Sequence, residues 1–150
     1  MSTVPVTIIE WTAELTVHVP EIDREHRIWF ATVNRLHQAM LAGKGKDVLK
    51  PLLAEAGQYT LVHFAHEEKL MAGAHYLGIR EHVEQHDVLR KKVAGFAARF
   101  ARGETTLTIE LTLFLSAWLK DHIMTTDIRL GEHLGAIGRV VNRGPDAGGR

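Results

Sequence analysis

The sequence has no cysteine and no excess of either charge. Without cysteine the chain cannot form disulfides, iron–sulfur clusters or thiolate zinc sites, so His, Asp and Glu are the strong metal ligands that it offers. The 18 Lys and Arg residues balance the 18 Asp and Glu residues, which leaves no net field to hold nucleic acid or an anionic membrane surface. We therefore expect no nucleic-acid partner and no membrane partner.

The sequence also lacks a long apolar run. The segment 107–119 is interrupted by Thr108, Glu110, Thr112 and Ser116, whereas a membrane-spanning helix needs about 20 apolar residues. Residues 1–11 contain neither the basic region nor the apolar region of a secretory signal. These features predict a cytoplasmic location.

The composition is that of one globular domain with an unusual amount of histidine. Hydrophobic residues make up 45% of the 150 residues and charged residues 24%, which is sufficient for a packed core in a single domain. The chain contains ten histidines. A histidine-rich chain without cysteine prompts a search for metal-ligand spacing.

Apolar residues recur at three- and four-residue spacing in four segments, and this pattern predicts four helices. The segments cover about 21–41, from after Asp47 to 73, 79–101, and 107 to beyond 127.

Asp47 is the expected N-cap of the second helix, and Thr105 or Thr106 that of the fourth. Short loops place sequential helices antiparallel, so the predicted fold is all-α: an antiparallel up-down-up-down four-helix bundle with an irregular N-terminal arm. The expected organisation is an arm at 1–19, the bundle at 20–134 and a flexible tail at 135–150.

Each predicted helix carries residues of the types that bind metals. His63 and Glu67 are four residues apart, as are His82 and His86, and residues at this spacing project from one helix face. Such side chains are costly among apolar neighbours unless they are paired or ligated. The candidate metal ligands are His26, His63, Glu67, His82, His86, His122 and Asp127.

Taken singly, these residues have simpler explanations. His26 could be a surface histidine near a helix start, Glu67 could be solvated, and His122 could merely contact Asp127 near a helix end. Together, these explanations require a coincidence on four helices, so we favour a metal centre.

Seven ligands are too many for one first-row metal, but they suit two octahedral irons bridged by both carboxylates. Oxygen-activating bundle enzymes of the ferritin-like class use a carboxylate-rich set with Glu-x-x-His spacing. The imidazole-rich set here has fewer anionic ligands and should stabilise high-valent iron less, which favours a centre that stops at peroxide-level binding.

Four stretches of the sequence resemble the bacterial hemerythrins: 22–26, 63–68, 82–86 and 118–123, the last followed by Asp127. The similarity extends over about 11–130 and includes all seven candidate ligands in order. By this resemblance one iron is held by His82, His86 and His122, the other by His26 and His63, and both are bridged by Glu67 and Asp127.

The resemblance implies two Fe ions joined by an oxo or hydroxo bridge, with O2 as the ligand of the two-histidine iron. It predicts reversible O2 binding by a carrier, store or sensor that is not an enzyme. The alternatives are a di-iron redox enzyme acting on O2, peroxide or NO, and iron sequestration. O2 is the expected partner, with an oxygen-consuming enzyme as a further candidate, and we expect a monomer.

Reversible binding requires a dry apolar pocket, and apolar residues within about a turn of the ligands are suited to form it. Plain core packing is the alternative role for each of them, and Leu119 is the residue that we expect to face O2. The predicted O2 pocket consists of Trp29, Phe64, Trp118, Leu119 and Ile123.

The sequence departs from the family pattern at three further histidines, His18, His66 and His75. We interpret all three as surface groups. His66 is only three residues from His63 and could perturb the site.

Overall fold

The described part of the protein is built from helices. The computed structural model describes residues 7–104 and 107–138, and no strand occurs within these ranges. A short 3-10 helix, Ala13–Leu15, precedes five α-helices, and a π-helical turn, Ile123–Asp127, joins the last two. The α-helices are α1 (Pro20–Leu41), α2 (Lys46–Gly73), α3 (Ile79–Ala101), α4 (Leu107–His122) and α5 (Ile128–Ala136).

In the bundle of the four long helices, α1 to α4, each helix packs against two neighbours. Helix α1 packs against α2 and α4, and α3 packs against the same two helices. Consecutive helices joined by short loops lie antiparallel. The predicted all-α four-helix bundle is therefore confirmed.

The beginning of α2 differs from the prediction. The helix begins at Lys46 with Gly45 as its N-cap, so the prediction that Asp47 caps it is wrong. Asp47 lies inside the first turn, where a negative charge interacts favourably with the helix dipole. The predicted caps Thr105 and Thr106 lie outside the described residues.

The described part of the N-terminal arm is fixed to α1 by hydrogen bonds. The side-chain amide of Asn34 accepts from Ile8 N (2.8 Å) and donates to Ile9 O (2.8 Å). The Asp23 carboxylate accepts from Val17 N at 2.9 Å. Paired backbone groups allow the arm to bury apolar side chains against the bundle. These are Ile9, Leu15, Val17 and Val19.

The C-terminal part of the bundle extends slightly beyond the predicted limit. Helix α5 continues to Ala136, so it includes the first two residues of the segment expected to be a tail. Residues 139–150 of that segment lie outside the described residues. Over 7–104 and 107–138, no helix combines the length and the apolar character needed to cross a membrane.

Candidate metal centre

The structure brings together all seven candidate ligands in the middle of the bundle. Helix α1 contributes one side chain, α2 and α3 contribute two each, and the end of α4 with the π turn contributes the remaining two. Every one of the seven is at most 3% exposed. They are His26, His63, Glu67, His82, His86, His122 and Asp127.

The π turn explains how His122 and Asp127 share a face at a spacing of five. In a regular α-helix, a residue five positions further along lies about 140° around the axis. Here Ile128 N donates to Ile123 O across five residues, which is the wider ring of a π-helix. As a result His122 Nε2 lies 3.1 Å from Asp127 Oδ1.

The seven side chains form two groups that share both carboxylates. One group contains His82, His86 and His122, and the other contains His26 and His63, each together with Glu67 and Asp127. Within each group, the possible ligand atoms lie within 4.8 Å of one another.

Each carboxylate turns one oxygen to each group. Asp127 Oδ1 lies 2.9 Å from His82 Nε2, and Asp127 Oδ2 lies 3.0 Å from His26 Nε2. Glu67 Oε1 lies 3.2 Å from His86 Nε2, and Glu67 Oε2 lies 3.1 Å from His63 Nε2. Two carboxylates in this position can bridge two cations.

Most of the polar atoms that the seven side chains turn toward one another form no hydrogen bond within the described residues, although some pairs lie only 2.9 to 3.2 Å apart. This holds for Nε2 of all five imidazoles, for both oxygens of Glu67 and for Asp127 Oδ1. Buried polar atoms are normally paired, and an unpaired group calls for a ligand or a water. Imidazole nitrogen and carboxylate oxygen suit iron, so the residues present fit two irons.

Opposite charges within the cluster shift the pKa values of its members. Burial alone would lower the pKa of His63, but Glu67 and Glu25 raise it to about 10. Burial likewise opposes protonation of His82, yet Asp127 and Glu67 raise its pKa to about 9. Metal binding would therefore have to displace protons.

The pKa values of the two carboxylates are shifted in the opposite direction, downward. Burial opposes ionisation of Glu67, but the imidazoles, His63 first, hold its pKa well below the usual range. Burial and the Glu67 charge would raise the pKa of Asp127, whereas contacts with His122 and His26 lower it well below the usual value. Both bridging candidates are thus held ionised.

Three residues that the sequence analysis did not predict accept hydrogen bonds from candidate ligands. Glu25 Oε1 lies 2.6 Å from His63 Nδ1, and Glu68 Oε2 lies 2.8 Å from His86 Nδ1. Gln85 Oε1 lies 2.7 Å from His122 Nδ1. Such acceptors direct Nε2 toward the metal and increase the basicity of the ligand. In the sequence, the available signal for such acceptors was a polar residue next to a candidate ligand. The sequence does not show which way the side chain of that residue points.

Aromatic rings surround the imidazoles. The Phe64 ring stacks on His86 with centroids 3.7 Å apart, and Trp118 stacks on His122 at 4.4 Å. The Trp29 ring lies 5.1 Å from that of His63. Leu119 and Ile123, the other two predicted pocket residues, are buried.

The additional histidines lie in different surroundings. His18 and His75 are exposed and adopt positive φ angles of 65° and 53°. His66 is only 30% exposed and contacts two carboxylates, so its interpretation as a simple surface group is incomplete.

The protein is thus a four-helix bundle that encloses five imidazoles and two shared carboxylates, a side-chain set suited to binding metal ions. This places it in the class of histidine-rich bundles with a candidate metal centre. Comparison with known sequences narrows this class: the family model described as Hemerythrin HHE cation binding domain matches residues 17–134. The chain belongs to the hemerythrin family.

Individual relatives agree with this assignment. A bacteriohemerythrin of Stenotrophomonas maltophilia is 34% identical over 120 residues, covering 80% of this chain and 77% of the relative. A bacteriohemerythrin of Methylococcus capsulatus is 32% identical over 130 residues, covering 86% and 98%. The crystal structure of a wild-type hemerythrin matches with a TM-score of 0.78 and 30% identity, covering 85% of this chain and 98% of that one.

Proposed function

We propose that the protein binds O2 reversibly at a non-haem di-iron centre. O2 binding is the function of the hemerythrin family, to which the chain belongs. One observation carries the proposal: two ligand groups share both carboxylates, and one group has three imidazoles whereas the other has two. The irons, when bound, would supply the electrons and the open coordination position that O2 binding requires.

The proposed ligand roles follow from the grouping. His82, His86 and His122 would hold one iron, His26 and His63 the other, with Glu67 and Asp127 shared between them. The second group has one protein ligand fewer, so we place the open position there. His63 is oriented for this role by its hydrogen bond to Glu25.

The surroundings favour binding over turnover. Trp29 and Phe64 are almost completely buried beside His63 and His86, and Leu119 and Ile123 are equally inaccessible to solvent. A site enclosed in this way excludes water and limits the access of protons and external reductants. We therefore propose a binding protein rather than an enzyme, with Leu119 facing O2. A monomeric state and an oxygen-consuming partner enzyme stay predictions.

An optical titration tests this function. The protein is loaded with two Fe(II) per chain under argon, exposed to air, and then stripped of oxygen. A visible charge-transfer band that appears in air and disappears when O2 is removed is the expected result. A band that decays irreversibly to the ferric state would contradict reversible binding and favour a redox enzyme. Stable iron loading with no band in air would favour iron sequestration.

A further inference from the structure

His66 is placed outside the two ligand groups but is connected to one of them. Its Nδ1 lies 2.6 Å from Glu25 Oε2, and its Nε2 lies 3.1 Å from Glu21 Oε2. The other oxygen of Glu25 lies 2.6 Å from His63 Nδ1. The Glu25 carboxylate is therefore held between a candidate iron ligand and a second imidazole.

The exposure of these side chains increases stepwise toward the surface. His63 is 1% exposed, Glu25 16% and His66 30%. The inner hydrogen bond is thus shielded from water, whereas a glutamate with one partner only could rotate its outer oxygen into solvent. His66 donates to that outer oxygen and fixes the carboxylate plane.

The three-histidine group has a matching arrangement at His86. Glu68 Oε2 lies 2.8 Å from His86 Nδ1, and Arg90 Nη2 donates to the same oxygen at 2.8 Å. In both groups, a ligand imidazole contacts a glutamate, and a basic side chain that is not a ligand holds this glutamate. The repetition on two different helix pairs argues against an incidental surface ion pair at His66.

We propose that His66 is a positioning residue for the iron held by His26 and His63. It fixes Glu25, Glu25 fixes the orientation of the His63 ring, and His63 Nε2 is thereby directed toward the metal. This inference rests on the proposed di-iron centre. It assigns a role in the site to a histidine that the ligand groups leave out.

The test compares two substitutions at one position. In His66→Ala the outer oxygen of Glu25, Oε2, loses the donor at position 66, while His63 still donates to Oε1. In His66→Asn the side-chain amide nitrogen is attached at the same branch point as Nδ1 and can restore the bond. The matched control is Arg35→Ala, because Arg35 forms an ion pair with Glu55 between α1 and α2 that involves no candidate ligand. Each protein is loaded with Fe(II) under argon, and iron release to a chelator is followed.

Loss of a direct acceptor of a metal-bound histidine weakens metal binding by about 10- to 100-fold, so we expect a smaller effect one step further out. His66→Ala should release one of its two irons about three- to tenfold faster than the wild type. His66→Asn and Arg35→Ala should release iron at the wild-type rate.

A second measurement observes the hydrogen bond directly. In the zinc-loaded protein, NMR can follow exchange of the His63 Nδ1–H proton with water. Exchange should accelerate in His66→Ala and return toward the wild-type rate in His66→Asn. A general loosening of the bundle would instead accelerate exchange at His86 as well.

The outcomes separate this proposal from the proposed function. If wild type and His66→Ala both load two irons and release them equally fast, the positioning role is wrong while the di-iron centre stands. Equal acceleration in the Ala and Asn variants would also overturn it, since a restored donor would then make no difference. If the wild type never loads two irons, the proposed function fails first, and this inference fails with it.

Discussion

His122 and Asp127 stand at the two ends of the π turn, with His122 Nε2 and Asp127 Oδ1 3.1 Å apart. Deleting Thr125, an exposed residue of this turn, would leave the pair four residues apart. In a regular α-helix a spacing of four again places both residues on one face. We therefore expect the deletion to keep close to two irons per chain, measured by metal analysis.

Inserting one alanine after Thr125 should have the opposite effect. The helix cannot absorb a spacing of six without turning Asp127 away from His122, so iron loading should fall well below two per chain. Thr125→Ala is the control, since it preserves the chain length. Full loading of the insertion variant would show that the turn does not position Asp127.

The two ligand groups predict different losses of iron from two single substitutions. Glu67 belongs to both groups, whereas His122 belongs to one. Glu67→Ala should therefore impair binding of both irons, and His122→Ala should mainly impair one. Metal analysis after gel filtration measures the ratio, with the exposed His75→Ala as control. Full occupancy in both ligand variants would refute the proposed ligand set.

Leu119 provides a test of the O2 pocket. Leu119→Asn and Leu115→Asn both replace a buried leucine of α4, and each should destabilise the fold by about 2–5 kcal/mol. Only the Leu119 variant should shorten the lifetime of the oxygenated form, because a polar group there would admit water and protons. Optical decay in air measures this lifetime. Equal decay in the two variants would place the pocket elsewhere.

The stability of the metal-free protein should pass through a maximum at mildly acid pH. The raised pKa values of His63 and His82, about 10 and about 9, stabilise the fold fully below the ordinary value of 6.5, and this contribution disappears toward pH 9 to 10. The lowered pKa values of Glu67 and Asp127 stabilise the fold above their ordinary values, and this contribution is lost in acid.

Thermal unfolding of the metal-free protein across pH measures this dependence. The melting temperature should be highest between the ordinary carboxylate and imidazole pKa values, about pH 4.5 to 6.5, and should fall on either side. A melting temperature that rises steadily from pH 6.5 to 9 would contradict the raised imidazole pKa values.

Gly131 in α5 is required by a close contact with the N-terminal arm. A Cβ built on Gly131 would lie 2.0 Å from the backbone oxygen of Val17, so Gly131→Ala must displace the arm. We expect a loss of about 1–3 kcal/mol in the free energy of unfolding, measured with urea. Gly95→Ala in α3 is the control: apart from the neighbouring backbone of its own helix, no atom of the described residues lies within 4 Å of its Cβ, and it should stabilise by about 0.4–1 kcal/mol. Equal effects of the two substitutions would argue against a steric role for Gly131.

The fold could be predicted from the sequence because its helices follow local rules. The predicted limits of α3 agree with Ile79–Ala101, since an apolar period and flanking glycines are local signals. The start of α2 was predicted less well, because Asp47 is equally suited to an N-cap and to the first helical turn.

The sequence by itself determined which residue types the centre contains and which of them share a helix face. His63 with Glu67, and His82 with His86, follow from the α-helical period alone. The assembly of the seven residues into two groups required the tertiary structure, because it depends on how α1 to α4 pack around one axis.

Only the tertiary structure revealed the partners of the candidate ligands. Glu25, Glu68 and Gln85 are ordinary polar residues in the sequence, and their hydrogen bonds to His63, His86 and His122 each join two different helices. A helical period specifies the face on which a side chain lies, but the rotation of one helix against its neighbour decides what that face meets.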